Sequence, residues 1–461
     1  GLLAHKDRKE AWQLVSAVAN LITIVLIFFS LLTIVFARQV VHYILAPGFS
    51  SIDPAKEALT AELLRIQVPS AIIFGLSGLA MGILNAHQHF LLPAIAPAMY
   101  QIGWVAGILV LSPQLGVRGL SYGILLGSCL HLIVQIPKLI KLPQARFKFT
   151  LGLKFPPVRE VMRLMAPRIL GVAVVQLNFL LNTYLASLEP EGSVAAISLA
   201  FPLMIMPEAA IAQSVAIAAL PTFSAQIAQG KIDEMRASLA ATLRGVLLLS
   251  IPSLIGLILL RKPLVTLLYQ GGEFGSLSTS LVSWALLWFA TGLVGHSIVE
   301  VVSRAFYALH DTKTPVSIGV GAMSLNLVLS ILFSAWFEKI GWMPHGGLAL
   351  ANSLATSLES GILIFIMHKR LKGLHERYIL RGVVKALLAA SGLGVIIWLW
   401  IKNMQEIANW QLMIGGIFLG IGVYACLLAV MGIPEIRIGV KWFNNSFNKI
   451  ITWLNKKVWR K

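Results

Sequence analysis

Residues 85–93 read NAHQHFLLP, and 222 positions later residues 307–315 read YALHDTKTP. A second pair lies at almost the same spacing. Residues 40–49, VVHYILAPGF, return as residues 264–274, LVTLLYQGGEF, 224 positions on. Two short likenesses at nearly one offset argue for a duplicated unit better than either does alone. Long apolar runs border all four stretches.

Those runs define the solvent. The chain is 57% hydrophobic and 12% charged, about half the charge of a soluble domain. A helix needs roughly 20 apolar residues to cross a bilayer. Twelve segments qualify: 14–36, 66–84, 92–111, 120–140, 164–185, 194–220, 243–260, 281–302, 316–337, 348–367, 383–401 and 412–431. The short alternating segments of a barrel are absent from the sequence. Pro69, Pro97, Pro167, Pro202, Pro207 and Pro252 fall in or beside the segments, where membrane helices tolerate kinks next to cavities.

The offset adds an expectation. It pairs the segment at 243 with the one at 14. Segments 164–185 and 194–220 precede the former, and nothing precedes the latter. The first copy is therefore expected to lack two helices, about 65 residues, and the chain to be an N-terminally truncated form of a fourteen-helix protein with twelve helices present. The expected fold is an all-α polytopic membrane protein of two six-helix bundles, as parallel repeats, plus two C-terminal helices. The expected divisions are residues 1–150, 151–372, 373–433 and a basic tail at 434–461.

Charge fixes the expected orientation. Of 37 Lys and Arg residues, 26 fall in the terminal stretches and the loops on their side, and 7 in the opposite loops. Such a bias places both ends in the cytoplasm. The net charge of +18 then reads as topology and attraction to anionic lipid, not as nucleic-acid binding. Phe443, Phe447, Ile450, Leu454 and Val458 form one stripe of the tail, expected to lie as an amphipathic helix on the cytoplasmic leaflet. Cys129 and Cys426 sit inside apolar runs and read as inert core thiols.

The residues that carry a family likeness span the chain to about Ile433. They include Gly82-Ile83-Leu84-Asn85 with Phe90, Pro93 and Pro97, and Arg304-Ala305-Phe306-Tyr307-Ala308 with Asp311-Thr312-Lys313-Thr314-Pro315. Ala166-Pro167-Arg168-Ile169-Leu170-Gly171, Asn182-Thr183, Gly192-Ser193-Val194-Ala195 and Ala219-Leu220-Pro221-Thr222 follow the same order. Together they resemble the MurJ/MviN lipid II flippases of the multidrug/oligosaccharidyl-lipid/polysaccharide exporter superfamily. The resemblance implies a bacterial inner-membrane transporter, not an enzyme. It would move undecaprenyl-diphosphate-linked peptidoglycan precursor from the cytoplasmic to the periplasmic leaflet by alternating access. It implies that precursor, membrane lipids and the cell-wall synthesis machinery as partners, and no nucleic acid. It also implies a cavity cation at the position of Pro202, which cannot supply one. Some members hold Na⁺ in the second half; the matching positions here are Asn182, Asn326 and Ser353, without the usual carboxylate. No cofactor is implied, and coupling to Na⁺ or H⁺ stays open.

A diphosphate head group crossing hydrocarbon needs cations in a wet cavity. Arg168, beside Pro167, reads as an entrance residue or as a snorkelling anchor. Arg65 stands at a helix start and fits either role. Glu300 and Arg304, four apart, can pair on one helix, as a structural pair or as a gate. Glu208 follows Pro207 and reads as a coupling carboxylate or as a satisfied residue lining water; Glu359 and His296 share that ambiguity. His87, His89 and His310 read as solvated loop residues, and Asp311 as a helix cap. Nucleotide-cradling and zinc-type spacings are missing from the sequence. A membrane glycosyltransferase would need a larger extracytoplasmic region than residues 50–61, and a flippase for another lipid-linked oligosaccharide or a non-transporting homologue remain the rival readings.

Overall fold

A computed structural model describes residues 8–49, 53–142, 147–404 and 407–435. Among these the chain is helical, apart from one isolated bridge between Gly271 and Phe274. It forms two compact units, residues 1–188 and 189–461. Large apolar side chains face outward in both: Leu109 and Phe418 are each 70% exposed. Patches of this kind suit a lipid environment.

The first unit contains α1 (Arg8–Val35), α2 (Pro54–Gln67), α3 (Pro69–Ala86), α4 (Leu91–Ala106), α5 (Val117–Ile133) and α6 (Pro156–Ser187). Its closest packing is between backbones. A methyl placed on Gly103 would lie 2.3 Å from the Gly127 Cα, and one on Gly107 would lie 2.4 Å from the Gly123 Cα. Gly103 of α4 and Gly107 just past its end thus meet Gly127 and Gly123 of α5 backbone to backbone. Lipid tails give no hydrophobic drive for helices to associate, so such close contact supplies the attraction. Asp53 accepts from the Ala55 amide at 2.9 Å and starts α2.

The second unit contains α7 (Ser193–Glu208), α8 (Ser214–Ala228), α9 (Ile232–Tyr269), α10 (Ser276–Ala290), α11 (Leu293–Ala308), α12 (Lys313–Lys339), α13 (His345–Leu371), α14 (Glu376–Asn403) and α15 (Asn409–Val430). Phe223, Met235, Leu239, Leu243 and Phe306 are almost wholly buried in one core cluster. α10 and α11 are bent by 47° at their junction. Gly292 sits there because a side chain would strike Ser353, whose Oγ lies 2.7 Å from the built methyl. A π-helical turn, Ala209–Gln213, joins α7 to α8 directly after Pro207 and Glu208; such turns absorb an extra residue and often mark functional positions.

All twelve expected segments fall in helical regions. Among the described residues ten helical stretches are long and apolar enough to cross a membrane, and the bent α10–α11 pair makes eleven. The remaining segment, 164–185, lies in α6, several of whose side chains are outside the described set. α6 clusters with the first unit, so the compact division falls at Leu188 and not at residue 150. The stripe at 443–458 lies outside the described residues. Both thiols are free, and Cys426 faces outward, unlike the core thiol expected.

The repeat appears in the backbone. Gln88 and His310 both have left-handed φ, 62° and 57°. The His89 amide donates to Leu84 O and the Gln88 amide to Asn85 O; the Asp311 amide donates to Phe306 O and the His310 amide to Tyr307 O. Each set is a Schellman ending. α4 and α12 then start 222 residues apart, at Leu91 and Lys313.

Candidate functional site

Helix α11 presents His296, Glu300 and Arg304 at four-residue intervals, so they share one face. The Arg304 Nη2 lies 2.9 Å from the Glu300 Oε2, with both side chains half-buried. The pairing expected from the sequence is formed. The Arg304 guanidinium also lies 5.7 Å from the Tyr307 ring centroid. His296 Nε2 is 3.3 Å from the Asn352 Oδ1 of α13.

Helix α7 runs beside this stripe. The Phe201 ring lies 6.2 Å from the His296 ring. Glu208, 6% exposed, lies in the field of Glu300 and Arg304. Glu208, at the end of α7 just before its π-helical turn, thus faces the field of the Glu300–Arg304 pair without being bonded to it among the described contacts. Glu359 on α13 is half-buried against Gly319 of α12.

Other expected residues lie elsewhere. The Arg65 Nε donates to Ile34 O at 3.1 Å, satisfying a carbonyl at the end of α1. The side chain of Arg168 is outside the described set. Asn182, in the first unit, donates to Asn178 O at 3.0 Å. Asn326 and Ser353 belong to the second unit. The Ser330 hydroxyl donates to Asn326 Oδ1 at 3.3 Å, and the Ser353 hydroxyl donates to Trp288 O at 2.7 Å. Among the described residues no group of three His, Cys, Asp or Glu side chains could hold a metal ion.

The loop reading of Asp311 fits its geometry. Its carboxylate accepts from the Thr314 amide at 3.0 Å and from the Thr314 hydroxyl at 2.6 Å, and pairs with Arg370. Hydrogen bonds from Thr314, and then the pair with Arg370, hold its pKa well below the usual carboxylate range.

Two features escaped the sequence reading. The first is a groove of about 910 Å³ in the second unit, bounded by α7, α8, α9, α14 and α15, with Leu248, Pro252, Gly256, Leu260, Ile397 and Tyr424 among its walls. Among the described residues lining it, Glu435 alone is charged. The second is a buried ion pair at that end, Arg244 with Glu435, Nε to Oε1 2.8 Å. Apolar lining looks like any other membrane sequence, and partners 191 residues apart leave no spacing to read.

A family model described as "MurJ: Lipid II flippase MurJ" matches residues 2–417. The chain is 29% identical to the "Lipid II flippase MurJ" of Burkholderia cenocepacia over 91% of this chain and 82% of that protein. It is 30% identical to the "Probable lipid II flippase MurJ" of Vibrio cholerae over 82% of this chain and 72% of that one. Among solved structures it is similar to "Lipid II flippase MurJ, inward closed conformation", with TM-score 0.78 and 25% identity, covering 93% of this chain and 86% of the other. A multidrug resistance MATE family transporter of the MOP superfamily, in an inward-facing conformation, shares the fold, with TM-score 0.64 and 16% identity over 81% of this chain and 84% of that one.

Proposed function

The chain belongs to the MurJ family of lipid II flippases, and on that premise we propose that its groove takes the polyprenyl chain of lipid II while the α11 stripe meets the diphosphate-sugar head. It is a transporter, not an enzyme, and lipid II flipping is its function. Lipid II joins two incompatible halves, so a protein that moves it needs an apolar track and a polar surface. The observation that carries this reading is the groove: about 910 Å³, walled by apolar side chains, with charge at one end.

Arg304 of the α11 stripe offers a cation to the head group when it parts from Glu300. Any coupling by H⁺ or Na⁺ runs through Glu208, with Asn326 and Ser353 of the second unit as the alternative Na⁺ ligands. The bias of Lys and Arg supports transport from a cytoplasmic to a periplasmic face with both ends cytoplasmic. Pro202 stands where the resemblance implies a cation, which favours one rival, a flippase for a different lipid-linked oligosaccharide.

The test is expression of the full reading frame that contains this chain in a bacterium depleted of its own lipid II flippase, reading lipid II exposed on the periplasmic leaflet. Restored exposure is expected. Failure with the protein present in the membrane would move the reading to the rival substrate.

A further inference from the structure

The Arg244–Glu435 pair has a construction that the groove alone does not require. Arg244 lies on α9, its side chain 8% exposed, while the side chain of Glu435, just past α15, is 30% exposed. The guanidinium carbon sits 4.2 Å from the ring centroid of Tyr378, and Nη1 donates to Tyr378 O at 3.4 Å. Gly382 leaves room for this: a methyl there would lie 2.8 Å from the Arg244 Cγ. Stacked on Tyr378 and close against the backbone at Gly382, the arginine is fixed in place. Its anion is less fixed. Glu435 takes Nη2 at 3.2 Å and the Tyr378 hydroxyl at 3.3 Å, whereas the Arg244 Nε, 2.8 Å away, is out of line for a hydrogen bond and has no acceptor.

Removing a buried arginine's partner is costly, so whatever displaces Glu435 must itself be an anion. A phosphate offers the same pair of oxygens to a guanidinium fork. The groove supplies the remaining constraint. Its wall on α9 runs from Ala241 to Leu264, about 35 Å at the rise of an α-helix, which is close to the thickness of a bilayer core. Gly245, next to Arg244, lines the groove and has open space where a side chain would stand. A long-chain lipid in the groove would carry its phosphate to this end.

We infer that Arg244 is a phosphate-binding residue at the end of the groove, and that Glu435 occupies its anion position until a phosphate-headed lipid displaces it. This rests on the groove holding an apolar chain. The shared chemistry is a phosphate on a long apolar chain, which a polyprenyl diphosphate carrier or a bilayer phospholipid could provide.

The experiment is native mass spectrometry of the purified full chain in detergent, titrated in turn with undecaprenyl diphosphate, phosphatidylglycerol and inorganic pyrophosphate. Glu435→Gln frees the arginine and should tighten undecaprenyl diphosphate about tenfold. The double variant Arg244→Gln/Glu435→Gln leaves no unpaired charge, so it should fold; it should bind about tenfold more weakly than the unaltered chain. A tightening by Glu435→Gln for undecaprenyl diphosphate alone assigns the site to the carrier; an equal tightening for phosphatidylglycerol supports the site and assigns it to bilayer lipid. Pyrophosphate binding as tightly as the lipids would overturn it. So would a double variant that binds lipid like the unaltered chain. Gly256→Phe separates the two readings. If it binds normally, the groove does not hold the chain. If it loses lipid while the double variant keeps it, the groove stands and this inference fails.

Discussion

The turns at residues 84–91 and 306–313 share one backbone and differ in what anchors it. Both end a helix on a buried residue, Leu84 or Phe306, each fully buried. Both place a residue with a β-carbon, Gln88 or His310, in the left-handed region where glycine is easier. The first is finished locally, by His87 Nδ1 against Ile83 O at 2.9 Å. The second is tied down by Asp311, which caps α12 through Thr314 and reaches Arg370 at the end of α13. The duplicated backbone is held by main-chain hydrogen bonds, so side chains could diverge around it. Among the described residues only the second copy uses its turn to fasten two helices together.

Replacing Asp311 by Ala should break that asymmetry most strongly. Loss of the cap and the ion pair should cost about 1–2 kcal/mol, read as a lowered melting temperature; His89→Ala should change little. Next, a β-branched residue at either left-handed position, Gln88→Val or His310→Val, should cost about 1–2 kcal/mol and should do so equally in both turns, since the strain lies in the backbone. The second turn adds a pH dependence through Asp311. Because the Asp311 pKa is depressed, its contribution is complete above the ordinary aspartate value and fades as pH falls through the folded value. The gap in melting temperature between the unaltered chain and Asp311→Asn should therefore stay constant from neutral pH to about 4 and close only below it. The smallest effect sharpens the comparison: Gln88→Gly and His310→Gly should each stabilise by at most about 1 kcal/mol, provided each turn keeps its hydrogen bonds.

The sequence displayed what depends on local pattern. Apolar runs located the helices, the offset located the repeated turns, and the four-residue spacing located the Glu300–Arg304 pair. Asp311 read as a cap because Thr314 is three residues on. Long-range features were hidden. Ser353, whose close approach leaves room only for glycine at the bend, lies on another helix, and the association of α6 with the first unit depends on contacts no periodicity records. Arg65 read as a helix-start cation, and only the fold shows that Ile34 O takes its Nε–H. The groove was invisible because its walls are as apolar as the faces that meet lipid. Arg244 falls within the apolar segment 243–260, but its partner comes from past the last described helix.

The central claim is that the groove carries the chain of the transported lipid. Gly256 lines it and has open space at its β-carbon, so Gly256→Phe should fill the groove without disturbing the packing around it. The measurement is periplasmic exposure of lipid II in cells depleted of their own flippase and expressing the unaltered chain, Gly256→Ala or Gly256→Phe at equal membrane levels. The account predicts exposure with the first two and a loss of about tenfold or more with Phe. Equal exposure with all three would contradict it.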